Sequence, residues 1–321
     1  MLQKEAASGR EEDNMRLNPI IKRDVRVQSR SMKICFGVFA YELILALVFF
    51  LAMFIIQQNN IYSTDNIYGE LVALYPVLGV TQLIILGVIV PVRTASSISG
   101  ERERQTFDIM MTTSMTPFSV IAGKVMTAII QSMLFIAASL PIMALTFVVG
   151  GVSWSYLFWF FAIALLTSFF SASIGILCSS LCKKSVSAVI MSYGFYILFF
   201  VATTLPAVFY EVYSARVSYT GTHVWNSCSY GENAFLVLLL NPAVYLAEFF
   251  TKIMTGESLV NDIREMTTAA NIGGPIRYVT VGHWWMIVST VLFLAVSVLF
   301  LWLAARRIDP VRGHAGRQRK H

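Results

Sequence analysis

The apolar residues of this chain are gathered into long unbroken blocks, separated by polar segments. The blocks cover 34–56, 71–92, 125–150, 156–181, 186–210 and 283–305. A helix rises about 1.5 Å per residue, so about 20 predominantly apolar residues cross a hydrocarbon layer. Every block reaches that length. In lipid only a helix or a closed barrel satisfies all backbone N–H and C=O groups, and no block shows the strict alternation of a barrel strand. The pattern therefore predicts an all-α polytopic membrane protein with six transmembrane helices. A seventh apolar stretch, 234–250, is interrupted at Asn241-Pro242 and carries Glu248 near its end. Proline removes a backbone donor and clashes with the preceding turn. The stretch reads as re-entrant or interfacial helices in the last external loop, with a genuine seventh span as the alternative.

Lys and Arg set the orientation. Basic residues crowd the segment before the first block, the 93–124 and 183–184 connections, and the segment after 305, whereas 57–70 and 150–155 have none. Positive charge is retained on the cytoplasmic side. Six spans thus predict a multi-pass cell-membrane protein with both termini cytoplasmic and a long external loop, 211–282. Residues 1–14 read as a disordered cytoplasmic tail and 306–321 as a basic one. Between tail and first span, Asn18 is a suitable N-cap and Pro19 a suitable first helical residue. The basic, apolar-interspersed stretch that follows predicts an amphipathic connecting helix, 15–33, lying along the cytoplasmic face. The first apolar block is longer than the core of a secretory leader and reads as a span.

Composition narrows the picture. The 321 residues include only 13% charged side chains, against about 25% in soluble domains, and mean hydropathy is +0.67. The net charge of +6 lies beside the spans, which points to membrane topology and away from nucleic acid. Cys35, Cys178, Cys182 and Cys228 form neither a disulfide framework nor a zinc spacing. None of His223, His283, His314 and His321 has a glutamate at metalloprotease spacing. The nucleophile elbow Gly-x-Ser-x-Gly is absent. So is the phosphate loop G-x-x-x-x-G-K-[ST], because Gly123-Lys124 is followed by Val125 and lacks the upstream glycine. The chain carries no catalytic or metal site of its own on this reading.

The informative segment is the 93–124 connection. It runs from a charge cluster, Gly100-Glu101-Arg102-Glu103-Arg104-Gln105, through Phe107, Asp108, Ile109, Met110 and Met111, to Thr116-Pro117. Thr116 and Pro117 predict a cap and first turn, so the third long helix should begin in the cytoplasm. A short apolar piece flanked by carboxylates suits docking on a soluble partner. These residues resemble the signature of the ABC type-2 permease family: a Gly-Glu-Arg-like start, a Gln105-Thr106 step where glycine is common at the first position, an amphipathic stretch, a Thr-Pro step and Gly123-Lys124. Asn18-Pro19, the span count and the large external loop are also similar to that family.

The resemblance implies a permease subunit of an ATP-driven exporter with no cofactor in this chain. ATP and magnesium would sit on a separate ABC ATPase subunit, present in two copies, and a second permease copy would complete a homodimer or heterodimer. It implies that Gly100, Glu101, Arg102, Glu103, Phe107, Ile109 and Met110 form the ATPase-coupling segment. Glu101 and Glu103 would be its charged contacts, and Phe107, Ile109 and Met110 its apolar face. Inside the spans, Glu42 is the one well-embedded acidic residue. Intramembrane carboxylates are costly and often functional, though Lys33 or a connecting-helix arginine could reach it. The small residues Ser168, Ser171 and Gly175 let helices approach closely. Weakly charged spans favour amphipathic, lipidic, drug-like or peptide cargo over a bare ion. A non-transporting scaffold or sensor working with an ATPase, and an ion-driven carrier, are the other readings.

Overall fold

A computed structural model describes residues 32–60, 71–107, 116–151, 153–219, 237–256, 258–259 and 284–308. Six long helices dominate: α1 (Met32–Asn60), α2 (Leu74–Glu103), α3 (Pro117–Gly150), α4 (Trp154–Leu181), α5 (Ser185–Tyr219) and, after a shorter α6 (Pro242–Thr255), α7 (Trp284–Ile308). A 3₁₀ turn, Leu238–Leu240, precedes α6. Six of these helices are long and apolar enough to cross a membrane. The connecting helix expected over 15–33 lies almost wholly outside the described residues.

Helices α2 and α3 outlast their apolar blocks. With 30 and 34 residues they are about 45 and 51 Å long, against a hydrocarbon layer of about 30 Å. Helix α2 does not end near residue 92 but continues through the polar SSISGERE stretch. Serine hydroxyls turn back onto the helix there, Ser96 to the Val92 carbonyl, Ser97 to Thr94 and Ser99 to Ala95. Helix α3 starts where the cap predicts. The Thr116 side chain accepts the Ser119 N–H, with Pro117 in the first turn. We call the end of the bundle that carries residues 104–116 the loop end.

Helix α4 is the centre. Its most apolar window is 61% buried, against 17% for α1, α5 and α7. Its tightest neighbour is α2. A carbon added at Gly175 would lie 1.9 Å from Thr94 Oγ1 and 3.2 Å from the Ala95 nitrogen. One turn on, Ser179 Oγ accepts the Ile98 and Ser99 N–H groups at 3.0 and 2.9 Å. Sequence reading marked Gly175 as a point of close approach, and the structure supplies its partner.

At the opposite end an aromatic cluster joins four helices. Tyr75 meets Phe147, Phe160 and Phe250 with ring centroids 5.5–6.0 Å apart, and its hydroxyl donates to the Tyr156 carbonyl. Gly79 faces the Phe250 ring so closely that an added carbon would lie 2.5 Å from it. Phe250 belongs to α6, which resolves the seventh apolar stretch. Asn241 accepts the Ala243 and Val244 N–H groups and Pro242 opens the helix. Its 14 residues reach about 21 Å, too short to span alone. Before Asn241 the described residues form a single 3₁₀ turn, and the earlier part of the stretch lies outside the described residues. Glu248 on α6 is fully buried and accepts a hydrogen bond from Ser258, a second embedded carboxyl that a reading by spans left among the loops. Trp154, Trp159 and Trp284 are exposed, as interface anchors should be, but Trp285 is 1% exposed and packs on Leu238 and Leu239. It is a core residue because α7 presents it to the 3₁₀ turn.

The α2–α4 contact sets a clear expectation. Gly175→Ala should lower stability by about 1–3 kcal/mol, the usual cost of overpacking, in thermal unfolding of the detergent-solubilised protein. Adding Thr94→Ala, which removes the nearest atom, should restore part of the loss.

Candidate functional site

Four consecutive residues end α2, and between them they meet α3, α4 and α5. Gly100 sits against the start of α5, where an added carbon would lie 3.4 Å from Ser185 Oγ. Glu101 accepts from Lys124 Nζ of α3 at 2.7 Å, with the two side chains 17% and 8% exposed. Arg102 donates from Nη1 to the carbonyls of Ser180 and Cys182, at 2.8 and 3.3 Å, where α4 ends. Glu103 Oε2 accepts from the Ser185 hydroxyl at 2.7 Å and from its backbone N–H at 3.2 Å, where α5 begins. The Ser185 side-chain and backbone hydrogen bonds hold the exposed Glu103 carboxyl below its usual range.

The chain then turns sharply. The Gln105 N–H bonds the Arg102 carbonyl and the Thr106 N–H bonds the Glu101 carbonyl. Gln105 itself has φ of 59°, the left-handed conformation that glycine adopts without steric cost. This gives the glycine commonly found here in the resembling family a physical reason. Phe107 follows, with the Arg102 guanidinium 4.9 Å from its ring centroid. Its ring packs on a cluster of Ile98, Ile121, Val125, Ile176, Ala304 and Ile308. Beside this junction lies a polar cleft of about 750 Å³, lined by Ser96, Ser97, Gly100, Glu103, Arg104 and Thr106 among others.

The residues expected to couple to an ATPase are therefore brought together, but with internal partners. Glu101 and Glu103 are each engaged within the chain, and Phe107 is half-buried on the chain's own core. Ile109 and Met110 lie outside the described residues. Sequence reasoning missed Lys124, Ser180, Cys182 and Ser185 as partners. Lys124 alone left a signal, a cation retained at the edge of an apolar block.

Glu42 lies apart, on α1. One of its oxygens is buried with no hydrogen-bond partner among the described residues, next to Tyr41, whose ring meets Phe135 edge-on. The Phe135 ring also lies 5.8 Å from the Arg93 guanidinium, which donates to Gln131. Lys33 and the arginines before it fall outside the described side chains. A second cavity, about 690 Å³, opens between α2, α4, α5 and α6. Its lining includes Val80, Ile84, Ser168, Tyr193, Tyr196 and Leu246, and among the described residues no charged side chain lines it. No group of three metal-ligating His, Cys, Asp or Glu residues occurs among the described residues.

A helical bundle whose described residues include six helices long and apolar enough to cross a membrane, with a charged junction where α2 ends, defines a polytopic membrane protein. Residues 57–306, more than half of the chain, match the family described as ABC-2 family transporter protein, and the chain belongs to that family. No curated protein matches it.

Two expectations test the junction. Gln105→Gly should raise stability by about 0.5–1 kcal/mol, the relief of a left-handed residue less the extra chain entropy of glycine, read from thermal unfolding in detergent. Glu101→Gln and Lys124→Met should be non-additive in the same assay, with a coupling of about 0.5–3 kcal/mol for a contacting pair. Additivity would show that the 2.7 Å contact contributes nothing.

Proposed function

We propose that this chain is the membrane-spanning permease subunit of an ATP-driven exporter, coupled through the 100–110 segment to a separate ATPase present in two copies. Family membership supports an ABC transporter membrane subunit. The observation that carries the coupling is the charged junction. Helices α2 and α3 are both longer than a hydrocarbon layer is thick, the last turn of α2 is paired with the start of α3, and it is tied to α4 and α5 by hydrogen bonds. A partner that displaces this tip acts on rigid helices that reach through the membrane, as subunit rotations do in switching proteins. In this reading both termini and the loop end are cytoplasmic. Ile109 and Met110, with the exposed edge of Phe107, fill a groove on the ATPase. Glu103 offers its second carboxylate oxygen and Arg104 its charge at the rim, and ATP and magnesium are bound by the partner.

The uncharged cavity between α2, α4, α5 and α6 supports an amphipathic or lipidic cargo. Among the described residues its walls carry hydroxyls and apolar side chains, which offer a bare ion no compensating charge. A second permease copy, identical or related, would complete the pathway, and the embedded Glu42 is a candidate functional group beside it.

Affinity purification from native membranes tests the coupling. The wild-type chain should bring down a soluble ATPase. Ile109→Asp with Met110→Asp should weaken that association at least about tenfold, as loss of an interface anchor does, while the six-helix domain keeps its unfolding temperature. Undiminished association would remove the 100–110 segment from the interface.

A further inference from the structure

The charges of Arg102 and Glu103 are matched to the two helix ends they touch. A helix C-terminus carries partial negative charge and unpaired carbonyls, and a helix N-terminus partial positive charge and unpaired N–H groups. Arg102, a cation, meets the carbonyls at the end of α4. Glu103, an anion, meets the amide and hydroxyl at the start of α5. The two helix ends are adjacent, joined by the short Cys182-Lys183-Lys184 turn, and the two capping residues are adjacent on α2. The order Arg-Glu fits, and the order Glu-Arg would oppose both ends.

We infer that Arg102 and Glu103 are positioning residues that clamp the α4–α5 turn to the tip of α2, so that a displacement of the coupling segment is delivered to the central helix α4 and to α5 as well as to α2 and α3. This rests on the coupling reading above and assigns the two charges a task inside the permease. Three features support it. Both contacts span about 80 residues of sequence, so they join elements that are far apart along the chain. Gly100 shows how near the two helices lie beside the clamp, since a carbon added there would be in van der Waals contact with Ser185 Oγ, at 3.4 Å. Just before the clamp, Ser179 of α4 is already bonded to the α2 backbone, so the turn is held on both sides.

The test is the charge-preserving swap Arg102→Glu/Glu103→Arg, with Glu103→Gln as the conservative control, since glutamine keeps an acceptor for Ser185. Hydrogen–deuterium exchange of the whole permease in nanodiscs reads the clamp directly. Amides 185–188 should exchange about fivefold faster in the swap, as expected for a lost helix cap, and near the wild-type rate in Glu103→Gln. The second arm uses the permease with its co-purified ATPase, trapped with ATP and vanadate. In the wild type, exchange should change together in peptides covering 100–107 and 180–190. In the swap, only the 100–107 response should survive. A merely structural role would alter rates in both peptides without separating their responses to nucleotide.

The clamp is overturned if amides 185–188 are unaffected by the swap, or if 180–190 still responds to nucleotide in the swapped complex. If no ATPase co-purifies, the coupling reading fails while the first arm still decides whether the clamp exists.

Discussion

Where α2 crosses α4, Gly175 leaves no room for a carbon against Thr94, and one turn on Ser179 receives two backbone N–H groups of α2. Without water in the hydrocarbon core, apolar burial gives little drive for helices to associate, and close packing with interhelical hydrogen bonds has to supply it. This crossing provides both. It explains why α4, rather than a longer helix, is the most enclosed element, and why the neighbouring helices are arranged around it. The aromatic contacts of Phe170 with Tyr196, Phe199, Phe293 and Phe300 then fasten α5 and α7 to the same helix.

Among the described residues, the loop end carries a dense cluster of charge. There it is used in order along the chain: Glu101 to α3, Arg102 to α4 and Glu103 to α5. A cluster of alternating charges on a membrane protein is easily taken for a solvated loop or a docking surface. Here its members also serve as ties between helices that are far apart in sequence. Glu101 and Lys124 sit where burial is substantial but incomplete. Such a pair fixes geometry, and its removal costs more than its formation returns.

The span count, the capped start of α3 and the tight approach at Gly175 were legible in the sequence because each follows from local rules: block length, a Thr-Pro cap, a small residue among large ones. The far end of α2 was not legible. Polarity marks where lipid ends, whereas a helix ends where its backbone turns, and that happens at the left-handed Gln105. The partners of the charge cluster were hidden for a different reason. Ser180, Cys182 and Ser185 are chemically ordinary, and only the fold brings them some 80 residues back to the tip of α2. Trp284 and Trp285 are neighbours in sequence yet one is exposed and the other buried, because adjacent helical positions point to different surroundings.

The start of helix α6 is tied to α5 through a single amide. The Asn241 side chain accepts from its own helix's first turn and donates to Thr204 on α5 at 2.7 Å, while Phe250 further along α6 rests in the hollow left by Gly79. Helix α5 and helix α6 are also facing walls of the uncharged cavity. Any tilt of α5 at Thr204 thus drags the opposite wall with it, and the chamber changes shape as a linked frame instead of opening along one hinged side.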